Sequence, residues 1–128
     1  MTGRTMLQFD YDEVHGQVAT AVLGRRDGAA GWRDVAVVIG NRAVMLQVDA
    51  DTDEIAVELA AAPDIKDGWQ AVPELSQYVG SALGWCWVGR NYLGYLDMFT
   101  LSFSGLEPQL CFTGEAAIIS IRRILPTS

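Results

Sequence analysis

At 128 residues the chain is long enough for one domain and for burying roughly two thirds of the surface its unfolded form exposes. Half of the residues are apolar and a fifth are charged, which excludes a disordered composition, and no apolar run approaches the ~18 residues of a membrane-spanning helix. A net charge of −7, with Arg25-Arg26 and Arg122-Arg123 as the only adjacent basic pairs, opposes a phosphate backbone, so no nucleic-acid partner is expected.

The first eight residues lack the long apolar segment of a secretory signal; taken as the natural start, they predict a cytoplasmic protein. Lys66 is the sole lysine beside eight arginines, and alanine is abundant, the bias of a GC-rich bacterial genome. Cys86 and Cys111 sit among apolar strand residues, where a reduced thiol behaves as a small hydrophobe.

In chain order, an extended piece around residues 7–11 precedes a first strand over residues 15–23. Residues 24–31, with three glycines in eight positions, then read as a flexible loop. Three alternating runs follow: Val35, Val37 and Ile39; Val44, Leu46 and Val48; Ile55, Val57 and Leu59. The turn Gly40-Asn41 and the acidic turn around Asp51-Thr52-Asp53 separate them. Period-two spacing with β-branched residues predicts an antiparallel meander with one buried face. Residues 60–72 read as a loop. Pro73, at a first helical position, and Leu75, Tyr78, Val79 and Ala82 on one face predict a short helix ended by Gly84. Four more strands are expected over residues 85–88, 95–103, 110–112 and 117–125.

Several constellations suggest chemistry and are outweighed by their surroundings. Asp49, Asp51 and Asp53 match the opening of an EF-hand. The sixth position is Glu54 where glycine is needed, and the twelfth is Ala60 where a glutamate belongs, so a solvated hairpin tip is expected and no metal site. His15 is the only histidine and has no nucleophile motif to serve, so no catalytic residue is assigned. The glycines Gly84, Gly89 and Gly94 lack the Lys-Ser/Thr of a phosphate loop and read as helix stop, hairpin turn and bulge; no cofactor is expected. Asp97, Glu107 and Glu115 would form an acid–base pair only if they faced one another across a cleft. Asp97, between Tyr95 and Phe99, is expected to be a structural ion pair with Arg122 or Arg90, or an exposed edge charge.

Trp85 and Trp87 share one face of a strand, and Cys86 and Val88 the other. Tryptophans in small α+β domains usually cap the core, and core packing is the expected place for this pair. On the open face they would instead join Arg90 and Tyr92 in a Trp/Tyr/Arg patch of the kind enriched at binding hot spots.

Residues 87–97 (Trp-Val-Gly-Arg-Asn-Tyr-Leu-Gly-Tyr-Leu-Asp), then Leu101-Ser102-Phe103 and residues 118–124, resemble an uncharacterised family of short bacterial proteins, a domain of unknown function. The same stretch is similar to immunity proteins of bacterial polymorphic toxin systems, which end in comparable β-meanders. That second likeness implies a small acidic partner-binding protein, and neither carries over a catalytic residue.

The expectation is therefore an α+β fold of one domain, residues 1–128: a mostly antiparallel sheet of six to eight strands, built from β-meanders, with one short helix packed on one face. The expected function is a non-enzymatic protein-binding module with Trp87, Arg90, Asn91, Tyr92 and Asp97 as its contact region, a protein partner favoured by basic charge, and no membrane. Two alternatives stand beside it. One is a small-molecule binder or minor enzyme, its pocket between helix and sheet lined by Tyr78, Trp85, Tyr95 and Asp97. The other is a structural homo-oligomer, a homodimer included.

Overall fold

The structure is a computed structural model and describes residues 7–27, 31–49 and 51–124. Within these, nine strands are separated by short connections: β1 (Ala21–Asp27), β2 (Gly31–Ile39), β3 (Arg42–Val48), β4 (Ile55–Ala61), β5 (Gln70–Ala71), β6 (Leu83–Arg90), β7 (Leu96–Phe103), β8 (Leu110–Glu115) and β9 (Ile118–Arg123). Every strand pairing is antiparallel, and the sheet runs β4-β3-β2-β9-β8-β7-β6, with β1 along the other edge of β2 and β5 beyond it.

The sheet forks at β2. Pairing with β3 runs from Ile39↔Arg42 to Asp34↔Gln47, and beyond that point Trp32 pairs instead with Ile119 of β9. The fork curls the sheet into a half-barrel, in which β4 packs across from β7. The main core lies inside the curl. Val35, Val37 and Ile39 meet Val44 and Leu46 from one half, and Phe99, Leu101, Leu110 and Phe112 from the other.

β2 is buried on both faces, which explains its unbroken apolar run. Its inward residues join the main core, while Ala36 and Val38 join Leu23, Ala43 and Met45 beneath Trp69 on the outer side. Trp69 is placed there by a 3-10 turn, Ile65–Asp67, whose first free amide, Lys66 N, donates to the Asp64 carboxylate at 2.9 Å.

Several expectations are corrected. The described residues form nine strands where six to eight were expected, because the short β5, Gln70–Ala71, falls in the stretch 60–72 read as a loop, and β4 also runs on into that stretch as far as Ala61. The short helix is absent: the described residues hold only 3-10 turns, and residues from Pro73 onward form one of these, Pro73–Tyr78. Leu75 and Tyr78, three apart, are both buried, a spacing that a 3-10 turn eclipses as well as an α-helix aligns it. Val79 is already extended, and Gly80 has φ +94°, so the chain turns away to reach residues 18–19. There Gly80 N donates to Ala19 O and Ala19 N to Ser81 O. The loop expected from residue 24 is also displaced, because Gly24, Arg25, Arg26 and Asp27 are strand; Gly28, Ala29 and Ala30 lie outside the described residues. The first strand begins at Ala21, not at residue 15, after a 3-10 turn at Tyr11–Glu13. No helix of the described residues is long and apolar enough to cross a membrane.

Candidate functional site

β6 and β7 meet in register with Val88↔Phe99 and Cys86↔Leu101, so Cys86 and Val88 point inward with the core phenylalanines. The positions between them point outward. Trp85 is 54% exposed, Trp87 37% and Met98 41%, side by side on the open face of the β6–β9 half. Core packing of the tryptophan pair is thus overturned. The inner positions are already filled by Phe99, Leu101, Leu110 and Phe112, and a register shift between Leu83 and Cys86 turns Trp85 outward. Ser102 fixes the start of β6: its buried hydroxyl accepts from Trp85 N at 2.8 Å and donates to Gly105 O at 2.6 Å.

The pairings of the four strands define a row across this face, Trp87–Thr100–Cys111–Arg122, and a second, Gly89–Met98–Thr113–Ser120. The apolar side chains Trp87 and Met98 occupy the β6–β7 side, and Cys111, Thr113 and Ser120 on the β8–β9 side are short. Arg122 closes the first row, exposed, with Glu115 Oε1 at 3.7 Å from its guanidinium.

The five residues expected to make contact fall on one hairpin, in different roles. Trp87 and Arg90 lie on β6, Asn91 and Tyr92 in the turn, and Asp97 near the start of β7. Tyr92 is 95% exposed, and Leu93 beside it is also exposed. Asn91 is a turn former: its Oδ1 accepts from Leu93 N at 2.9 Å and from Tyr95 N at 3.2 Å, which occupies the side chain locally. Asp97 is half-buried where the register slips between Gly89 and Arg90, and Arg122 pairs with Glu115 instead of with it. Met98 and Leu93 were not singled out in the sequence. Met98 was legible, since the inward period of Phe99, Leu101 and Phe103 puts it on the opposite face with Thr100 and Ser102.

The pocket expected between helix and sheet does not assemble. Tyr78 stacks on Phe103 at 4.6 Å, at the end of β7 farthest from Tyr95 and Asp97, and Trp85 faces outward. An open groove of about 1050 Å³ does lie by Tyr78 and Phe103, walled by Leu106, Pro108, Gln109 and Arg123. Glu107 likewise sits in the β7–β8 connection, a strand length from Asp97, so the carboxylates do not converge as a trio.

Gly84 lies within β6 and not at a helix end; Gly89 sits at the register shift, and Gly94 takes a positive φ in the turn. Among the described residues no group of His, Cys, Asp and Glu is placed to hold a metal ion. Cys86 faces the core and Cys111 the open side, so the two free thiols cannot bridge within the chain. Burial pushes the Cys86 thiol up to about 11.

On the other half, Asp34 is buried and accepts from Arg25, Nε at 2.8 Å and Nη2 at 2.6 Å, while Arg25 also lies over the Trp69 ring at 4.8 Å. This cluster seals the outer side of β1 and β2, and Arg33 Nε adds a second, longer contact to Asp34 Oδ2 at 3.4 Å.

No curated protein and no solved structure matches the chain. The likeness to immunity proteins has no counterpart in these comparisons. The model of a family of unknown function, DUF6334, matches residues 1–128, and the chain belongs to that family.

Proposed function

We propose that the protein is a non-enzymatic, cytoplasmic protein-binding module that engages its partner through the open face of β6 and β7 and the adjoining hairpin tip. One observation carries the reading: Trp85, Trp87 and Met98 are exposed side by side, and Tyr92 and Leu93 extend the apolar surface at the tip. Scattered exposed hydrophobes are ordinary, but a contiguous set containing two tryptophans is of the kind that marks an interaction surface. Trp and Tyr also supply contact area at low entropic cost and dominate binding hot spots. Arg90 and Asp97 flank the patch as its polar rim, and Asn91 holds the tip in shape. An immunity-like role, with a toxin as partner, is one form of this reading.

The test uses wild type and a Trp85→Glu/Trp87→Glu variant as baits in extract of the source cells. A protein retained by wild type and lost by the variant is the expected result. Identical retention by the two baits rejects this surface as the site. The groove by Tyr78 and Phe103 favours a second reading, a small-molecule binder, because its stacked aromatic pair, with Arg123 and Glu107 on the rim, suits a planar polar ligand. A thermal shift on screening such compounds, lost in Arg123→Ala, would support it.

A further inference from the structure

The row Trp87–Thr100–Cys111–Arg122 has an aromatic ring at one end and a guanidinium at the other, with one strand pair on each side of its midpoint. A two-fold axis parallel to the strands, passing between β7 and β8 above the face, exchanges those two ends. We propose that the partner of this face is a second copy of the chain, packed sheet on sheet about that axis, so that Trp87 of each protomer stacks on Arg122 of the other. The inference rests on the binding reading above and names its partner.

Three observations support a second copy over another occupant. The first is shape. Trp85, Trp87 and Met98 stand along one side of the face, and along the other the short Cys111, Thr113 and Ser120 lie beside the exposed Arg122. The two-fold operation lays the first side of each copy on the second side of the other, the self-complementarity an isologous interface requires. The second is charge. Residues 83–128 carry three arginines, Arg90, Arg122 and Arg123, against three carboxylates, Asp97, Glu107 and Glu115. The whole negative excess therefore belongs to residues 1–82, so two copies meeting through this half bring no net charge together, and the half offers nothing that selects a basic partner. The third is the availability of Arg122. Its ion pair with Glu115 is long at 3.7 Å and exposed on both sides, and exposed pairs of this kind hold the side chain only weakly. A guanidinium above an indole face is a favourable exchange for it, and the described residues already make this contact in Arg25 over Trp69 and Arg26 over Trp32.

Sedimentation equilibrium on the purified full chain over a concentration series tests the proposal. The wild-type mass should climb from monomer toward dimer. Two stacked pairs per dimer make Arg122→Glu weaken association about tenfold or more. The exchange Trp87→Arg/Arg122→Trp keeps a ring facing a guanidinium at both ends and should restore the dimer; melting curves at the lowest concentration confirm that each variant folds. A wild type that stays monomeric throughout, or an Arg122→Glu variant that associates as wild type does, overturns the second copy. The two readings fail separately: a monomer that still loses a bound protein on Trp85→Glu/Trp87→Glu leaves the binding surface standing and removes only the self-pairing.

Discussion

Tyr11 and Cys86 pack together against the main core, and both are held in their protonated forms. Burial raises the Tyr11 hydroxyl well above its ordinary value, and the negative charge of Cys86, once ionised, adds to the effect. Among the described residues that buried hydroxyl has no hydrogen-bond partner, an arrangement that costs free energy in the folded state only. Tyr11→Phe should therefore raise stability at neutral pH by about 1 kcal/mol, read as a higher urea midpoint at an unchanged slope. The pair also sets an alkaline limit. The Cys86 thiol ionises at about 11 in the fold against an ordinary 9.0, so folding favours the thiol over the thiolate. Its contribution is intact below pH 9.0 and is lost as pH rises from there through about 11; Tyr11 acts with the same sign at higher pH. Urea midpoints should fall over that interval in wild type and fall less in Cys86→Ala. A wild-type midpoint that stays level up to pH 11 would refute the assignment.

At the scale of elements, the β6–β7 hairpin depends on Asn91. Its Oδ1 takes two backbone amides, Asn91 N donates to Tyr95 O at 2.9 Å, and Gly94 N returns to Asn91 O at 2.9 Å. Asn91→Ala removes both side-chain acceptors and should cost about 1 kcal/mol, with hydrogen exchange quickening first at Leu93 and Tyr95; unchanged protection there would show that the turn closes without the side chain. This hairpin was legible because its turn chemistry and flanking alternation agree, as they do for β2, β3 and β4; β8 and β9 were legible from alternation alone, since their turn is Ala116-Ala117, both at positive φ. The misread elements had local signals that two structures share. Leu75 and Tyr78 satisfy a 3-10 turn and an α-helix alike, and only the tertiary pairing of residues 80–82 with residues 18–19 decides between them. Gly24 looked like a loop glycine, yet it lies within β1 because the Trp32 ring occupies the space a Cβ would take. For Trp85 and Trp87 the alternation correctly put both on one face. Which face is core depends on the phenylalanines of β7 and β8, which no local pattern in β6 reports.

The molecule as a whole is closed by a contact between hairpins distant in sequence. The β3–β4 tip folds onto the β8–β9 hairpin: Ala117 N donates to Asp53 Oδ1 at 2.8 Å, and the Asp53 carbonyl rests against Gly114. The acidic tip expected to be solvated is thus partly spent on tertiary structure, with Asp53 at φ +61° and its carboxylate turned toward β9 while Asp51 stays exposed. Because the sheet forks at the single pair Trp32↔Ile119, this contact is what ties β3 and β4 to the other branch outside the core. Any side chain at residue 114 must displace the Asp53 carbonyl, a backbone atom with little freedom to move. Gly114→Ala should cost about 2 kcal/mol by forcing the branches apart, whereas Asp53→Asn, which keeps an acceptor for Ala117 N, should cost much less. If closure couples the branches, hydrogen exchange in Gly114→Ala will quicken together in β4 and β9 while β6 and β7 keep their protection. A loss confined to residue 114 and its neighbours would mean that the two branches are held by the core alone.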